Sequence, residues 1–354
     1  MKFRMFAASA HGKKYLERGL PCQDVSDTME IDGVQAIAVA DGHGGKDYFR
    51  SDTGAKLVVE IAFKQIKKFC SELADDEIFS DNGIKSFEHS IWSRWREAVI
   101  NHWRENPVSD DESRWQAVSE KYKARFSSAD EKYIPVAYGT TLICAISIGA
   151  QVLITQIGDG TCVVLQRNGE FKVPVPPDSE NILNVTTSLC DSDAVSKFRH
   201  VVLNCDENFP LAPVAIFLSS DGLDDCYPVF ENEKYLCKLY AETIIDSLIE
   251  NDFEPTEQEI RDELLPYMTA RGSNDDISLA YLLTEDLNLL KAATEKVSSP
   301  DAEKVSSPVT EKVSSSAKKF SSSPVYKASN IIFLPPVIIE PKTQSERGDN
   351  LEQP

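Results

Sequence analysis

The chain reads as an α+β protein, helix-bearing in its first half and sheet-rich in its second. Three patterns predict this class. Strand-like apolar runs at 3–10 and 34–40 open the chain, and two long stretches of helical periodicity follow them. From Thr140 onward, short β-type runs separated by turn residues take over. Beyond Leu290 both kinds of pattern stop and the composition shifts to Ser, Pro, Lys and Glu.

In chain order, the first two strands are separated by a loop carrying Gly12, Gly19, Pro21 and Gly33. Residues 54–74 place Leu57, Val58, Ile61, Ala62, Ile66 and Phe69 three and four apart, which predicts an amphipathic helix lying over the strands. Residues 84–103, with Phe87, Ile91, Trp95, Ala98 and Val99, predict a second helix. Residues 115–126 predict a third, and the polar run 106–113 separates the two. Their tryptophans read as interhelical packing. Strands are expected at 141–148, 151–157, 162–166, 201–203, 214–218 and 277–283, with turns at Gly149, Gly158, Gly160, Asn168 and Gly169. Residues 174–196 form a polar, proline-containing segment, either a flap over a site or a surface loop.

Composition narrows the function. With 37 Lys and Arg against 57 Asp and Glu, the net charge of −20 repels a phosphate backbone and excludes nucleic-acid binding. No apolar stretch approaches the ~20 residues that span a bilayer, and the first residues carry no apolar leader, so no membrane association and a cytoplasmic location are expected. The eight cysteines show no metal-site spacing, and several sit inside apolar runs; buried reduced thiols fit them best.

Residues 1–286 are expected to form one domain and 287–354 a disordered Ser/Pro-rich tail. A repeat beginning Glu295-Lys296-Val297-Ser298-Ser299-Pro300 recurs at 303–308 and, decayed, at 311–316. The apolar island at 330–341 predicts a segment that docks a partner or adds a strand to a sheet, an inert hydrophobic tail being the other reading. The Ser-Pro repeats suggest that a kinase phosphorylates the tail.

The chemistry concentrates at strand ends. Asp41-Gly42-His43-Gly44-Gly45 follows the run 34–40, so a carboxylate and an imidazole sit where a buried strand opens into a turn. Ser219-Ser220-Asp221-Gly222 follows the run 215–218, and Asn274-Asp275-Asp276 precedes 277–283. Hard divalent cations take oxygen ligands and keep several waters, so aspartates converging from strand ends suffice for a site.

The same residues carry a family resemblance. Gln23-Asp24, the Asp41–Gly45 turn, Gly139–Thr141, Gly158–Gly160, Ser220–Gly222 and Asp275–Ser278 occur in the order of the metal-dependent protein phosphatases of the 2C type, over roughly residues 7–284. Residues 19–24 and 184–189 look more like the bacterial branch. The resemblance implies a β-sandwich of two antiparallel sheets flanked by helices. It also implies hydrolysis of serine and threonine phosphoesters on proteins, by direct attack of a water or hydroxide bridging two Mn²⁺ or Mg²⁺ ions. Carried over residue by residue, Asp41 bridges both metals, the Gly42 carbonyl binds one, and Asp221 with Asp275 binds the other. Asp24 orients water from behind the ligands. His43 is either the general acid for the leaving alkoxide or a brace for its loop. Asp159 stands where the family often supplies a ligand for a weakly held third metal, and a plain turn residue is the other reading.

Two departures stand out. The phosphate-binding Arg of the eukaryotic relatives falls on Gly19, with Arg18 one step earlier either its substitute or a solvated surface residue, and Gly160-Thr161 replaces the Arg that commonly follows the Gly-Asp-Ser motif. The alternative function is a catalytically weak pseudophosphatase that binds a phosphoprotein or a kinase.

Overall fold

The computed structural model describes residues 2–297 except 73–74, 110–111, 129 and 179–185, together with the pairs 327–328 and 331–332. Two five-stranded antiparallel sheets face each other. The first runs β1 (Phe3–Ala10), β10 (Ile277–Thr284), β9 (Pro213–Ser219), β6 (Thr161–Gln166), β7 (Phe171–Lys172). The second runs β2 (Asp24–Ile31), β3 (Val34–Asp41), β4 (Leu142–Ile148), β5 (Gln151–Ile157), β8 (Arg199–Asn204).

Both faces of the central strands are buried, which explains their unbroken apolar sequences. In β3 the alternation is visible. Ile37 and Val39 point into the layer between the sheets with Ile154, Val164 and Leu282, whereas Ala36, Ala38 and Ala40 face the helices. Those small side chains leave room for α2 (Ser51–Glu72), which packs with α4 (Asp81–Glu105) over the second sheet through Val58, Ile66, Ile91 and Trp95. Trp95 is fully buried, and its indole N–H donates to the Gly54 carbonyl at 3.0 Å.

The other sheet is covered by helices whose residues the sequence pattern did not flag: α8 (Asn232–Lys238), α9 (Asp246–Asn251), α10 (Phe253–Glu259) and α11 (Leu265–Arg271), with wide π-type turns at Leu239–Ile245 and Ile260–Leu264. Tyr240, Leu248 and Met268 from this layer meet Phe217 and Tyr281 of the sheet. The short helices α1 (Lys13–Leu16), α3 (Asp75–Ile78) and α7 (Asp221–Asp224) cap loops.

Three expectations are corrected. The loop expected before β3 contains β2, the edge strand of its sheet, whose polar Ser26, Asp27, Thr28 and Glu30 mask the strand pattern. The helix expected at 115–126 is two, α5 (Ser113–Ala117) and α6 (Glu120–Phe126). Val118 is buried in an extended conformation between them, and Ser119 N–H donates to Asp47 Oδ1 at 2.8 Å. The segment from 287, expected as tail, starts with α12 (Leu287–Val297), which buries Leu290 and Ala293 against the first sheet's helical layer. Farther on, β11 (Lys327–Ala328) pairs antiparallel with β12 (Ile331–Ile332), and the rest of the apolar island at 330–341 lies outside the described residues.

Candidate active site

Every predicted strand-end carboxylate falls at one end of the sandwich. Asp41 closes β3 and stands opposite Asp24 in the β2–β3 register. Asp221 follows β9 and begins α7, Asp275 precedes β10, and Asp159 follows β5. A cleft of about 380 Å³ brings Asp41, Asp159, Asp221 and Asp275 together with His43 and Arg18.

The Asp-Gly-His turn is held from both sides. Thr141 N–H and Thr140 Oγ1 donate to the Asp41 carbonyl, each at 2.8 Å, and His43 N–H donates to the Gly139 carbonyl at 3.1 Å. Thr140 and Thr141 thus serve the backbone. Gly42 sits so close to α2 that a Cβ there would come within 2.7 Å of the Ser51 carbonyl oxygen. A Cβ at Gly139 would strike the His43 and Tyr48 rings, which meet edge-on at 4.8 Å. Gln23 donates through Nε2 to Ser51 Oγ at 2.7 Å and to the His43 carbonyl at 3.2 Å, bracing this turn.

Asp24 lies behind the cleft rather than on its wall. It accepts from Ser220 Oγ at 2.7 Å, and Ser220 Oγ accepts from Ser278 N–H at 2.9 Å. This chain ties the second sheet to the ends of β9 and β10. Asp276, beside the predicted ligand Asp275, turns inward and accepts from Gly12 N–H at 2.6 Å and Gln23 N–H at 2.7 Å. Its carboxylate is structural.

Crowding of like charges shows in the titration of these groups. Burial first, then Asp24 and Asp221, pushes the Asp41 carboxyl well above its ordinary value, and burial pushes Asp221 up to about 6. Burial raises Asp24 in the same direction. Burial lowers His43, against the opposing pull of Asp159 and Asp191. Lys14, which the sequence did not single out, also lines the cleft and pairs its ammonium with Asp275. Asp159 accepts from the hydroxyl of Thr186, so the segment 174–196 reaches the cleft there, while its residues 179–185 lie outside the described set.

The donor set has the chemistry of a hard-cation site: crowded carboxylate oxygens, one of them paired with an ammonium. That ammonium is a positive charge that a divalent ion would displace. As the side chains stand, no three His, Cys, Asp or Glu groups among the described residues form a ready-made metal cluster.

A family model described as Protein phosphatase 2C matches residues 11–265. The chain belongs to the protein phosphatase 2C family. No curated protein matches it in sequence. Among solved structures, this family member is similar in fold to the serine/threonine phosphatase Stp1 from Staphylococcus aureus, at 15% identity and TM-score 0.50, over 80% of this chain and 96% of that one. The S. agalactiae serine/threonine phosphatase matches at 16% identity and TM-score 0.50, over 80% and 100%. A C. elegans sex-determining protein matches at 15% identity and TM-score 0.52, over 83% and 68%. The phosphatase 2C sandwich expected from the motifs is therefore the fold of this chain. Its eight cysteines are all free thiols, and no described helix is long and apolar enough to cross a membrane.

Proposed function

We propose that this phosphatase-2C member is a metal-dependent serine/threonine protein phosphatase. What carries the reading is the meeting of Asp41, Asp221 and Asp275 with His43 and Arg18 around one cleft, from stretches of chain more than 200 residues apart. Asp41, the Gly42 carbonyl, Asp221 and Asp275 would hold two Mn²⁺ or Mg²⁺ ions, with Asp159 available to a third. Bound there, such ions neutralise the carboxylates and make water acidic enough to attack phosphorus at neutral pH.

The chain's own residues do the rest. Arg18, exposed on the cleft wall, matches two phosphate oxygens with its planar guanidinium. Asp24 fixes Ser220 and, through it, the entry to Asp221. His43 donates a proton to the leaving Ser or Thr oxygen. Burial lowers the pKa of its imidazole, and an arriving phosphate dianion opposes that shift by adding negative charge beside it. The tail, with its Ser-Pro repeats and apolar island, would recruit a cognate kinase or a substrate.

A second reading has one observation in its favour. Lys14 on Asp275 already satisfies one proposed ligand, as suits a module that binds phosphoproteins with little turnover. The deciding measurement is Mn²⁺-dependent phosphate release from a phosphothreonine peptide. The phosphatase reading expects turnover that falls at least about a hundredfold in Asp221→Ala. No release above the Asp221→Ala background, across metals and peptides, hands the case to the binding module.

A further inference from the structure

A second cavity, of about 440 Å³, opens beside the carboxylate cleft and shares Arg18 and Gly44 with it as common wall. Its character differs. Leu20, Tyr48, Phe49 and Ala117 supply apolar surface, whereas the first cleft is walled by aspartates. Tyr48 is the partition, since its ring also meets His43 edge-on at 4.8 Å. The outer wall is α5, anchored where Arg114 pairs with Asp52 of α2 at 2.8 Å. Lys46 and Arg18 are exposed on the lining.

We propose that this cavity is a subsite for an apolar side chain of the phosphoprotein, one or two residues from the phosphorylated Ser or Thr. The inference rests on the phosphatase reading of the adjoining cleft. A phosphate held by Arg18 puts neighbouring residues about 3.3 to 7 Å away along an extended peptide, the reach needed to cross a shared wall. Apolar pockets of this size take a Leu or Phe side chain, with polar groups at the mouth fixing orientation. Lys46 at that mouth favours an acidic residue beside the apolar one. The subsite thus selects an apolar, acid-flanked sequence context for dephosphorylation.

The test uses the full chain with Mn²⁺ and two matched peptide series, in which the positions within two residues of the phosphorylated site carry Ala, Leu or Phe. One series bears phosphothreonine, for kcat/KM; the other bears a non-hydrolysable phosphonate, for Kd by fluorescence anisotropy. Leu or Phe at one of these positions is expected to bind about tenfold tighter than Ala, as burial of one such side chain allows. Ala117→Trp, which fills the cavity, should reduce that preference to less than about twofold, and Leu20→Ala should weaken it independently. Lys46→Glu should reverse a preference for Glu over Lys next to the apolar residue. Equal Kd for Ala, Leu and Phe at every position overturns the subsite, as does undiminished preference in both cavity variants. Turnover without preference removes the subsite and keeps the phosphatase. Preference in binding without turnover does the opposite. Displacement of the phosphonate peptides by an unphosphorylated peptide of residues 330–341, at lower concentration than by the Leu peptide itself, assigns the cavity to the chain's own tail and overturns the proposal.

Discussion

Lys14 and Asp224 show how single residues set the behaviour of the cleft. Lys14 holds Asp275 with an ammonium, so a cation must displace it before Asp275 can bind metal. Lys14→Met is therefore expected to tighten Mn²⁺ binding several-fold, measured by titration calorimetry; unchanged affinity would mean that Asp275 is not a ligand. Burial pushes Asp224 up to about 8, so the folded chain keeps a proton that an unfolded chain releases near pH 4. The stability this protonation contributes is intact at low pH and is lost as pH rises from about 4 toward 8. Asp24, Asp41 and Asp221 are raised in the same direction and add the same sign. Denaturant midpoints of chelated protein should accordingly fall between pH 5 and pH 8, and Asp224→Asn should flatten the slope. The aspartates were legible in the sequence because each sits in a short motif at the end of an apolar run. Lys14, Ser220 and Asp276 were not, because their roles come from partners more than 190 residues away, and spacing along the chain carries no trace of such pairs.

At the scale of elements, burial decided what could be read. Strands β3, β4, β9 and β10 are apolar on both faces and announced themselves, as did α2 and α4 by their periodicity. The edge strand β2 has one polar face and a polar start, so its signal dissolved into the neighbouring loop. The break between α5 and α6 is a tertiary event: Val118 is pulled inward and Asp47 takes the Ser119 amide, neither of which local propensity encodes. The α2–α4 contact centres on Trp95, which both fills space and satisfies the Gly54 carbonyl. Trp95→Ala should cost about 3–5 kcal/mol, read as a lower urea midpoint with an unchanged slope.

On the scale of the whole molecule, the packed body reaches further along the chain than composition suggests. The shift to Ser, Pro and Lys after Leu290 hides α12, whose Leu290 and Ala293 are fully covered. Ending the chain at 286 removes that cover and should lower Tm by about 5–10 °C, from about 2–3 kcal/mol of lost apolar burial. Scanning calorimetry on the full chain and the shortened one reads the difference. The seam between the sheets has a further consequence. Asp41 closes a strand of one sheet, whereas Asp221 and Asp275 adjoin strands of the other. Anything gripping all three at once is a clasp across the sandwich, and any breathing of the two layers pulls it open. Occupancy and rigidity then become a single equilibrium, in which stripping the clasp loosens the body and loosening the body spills the clasp.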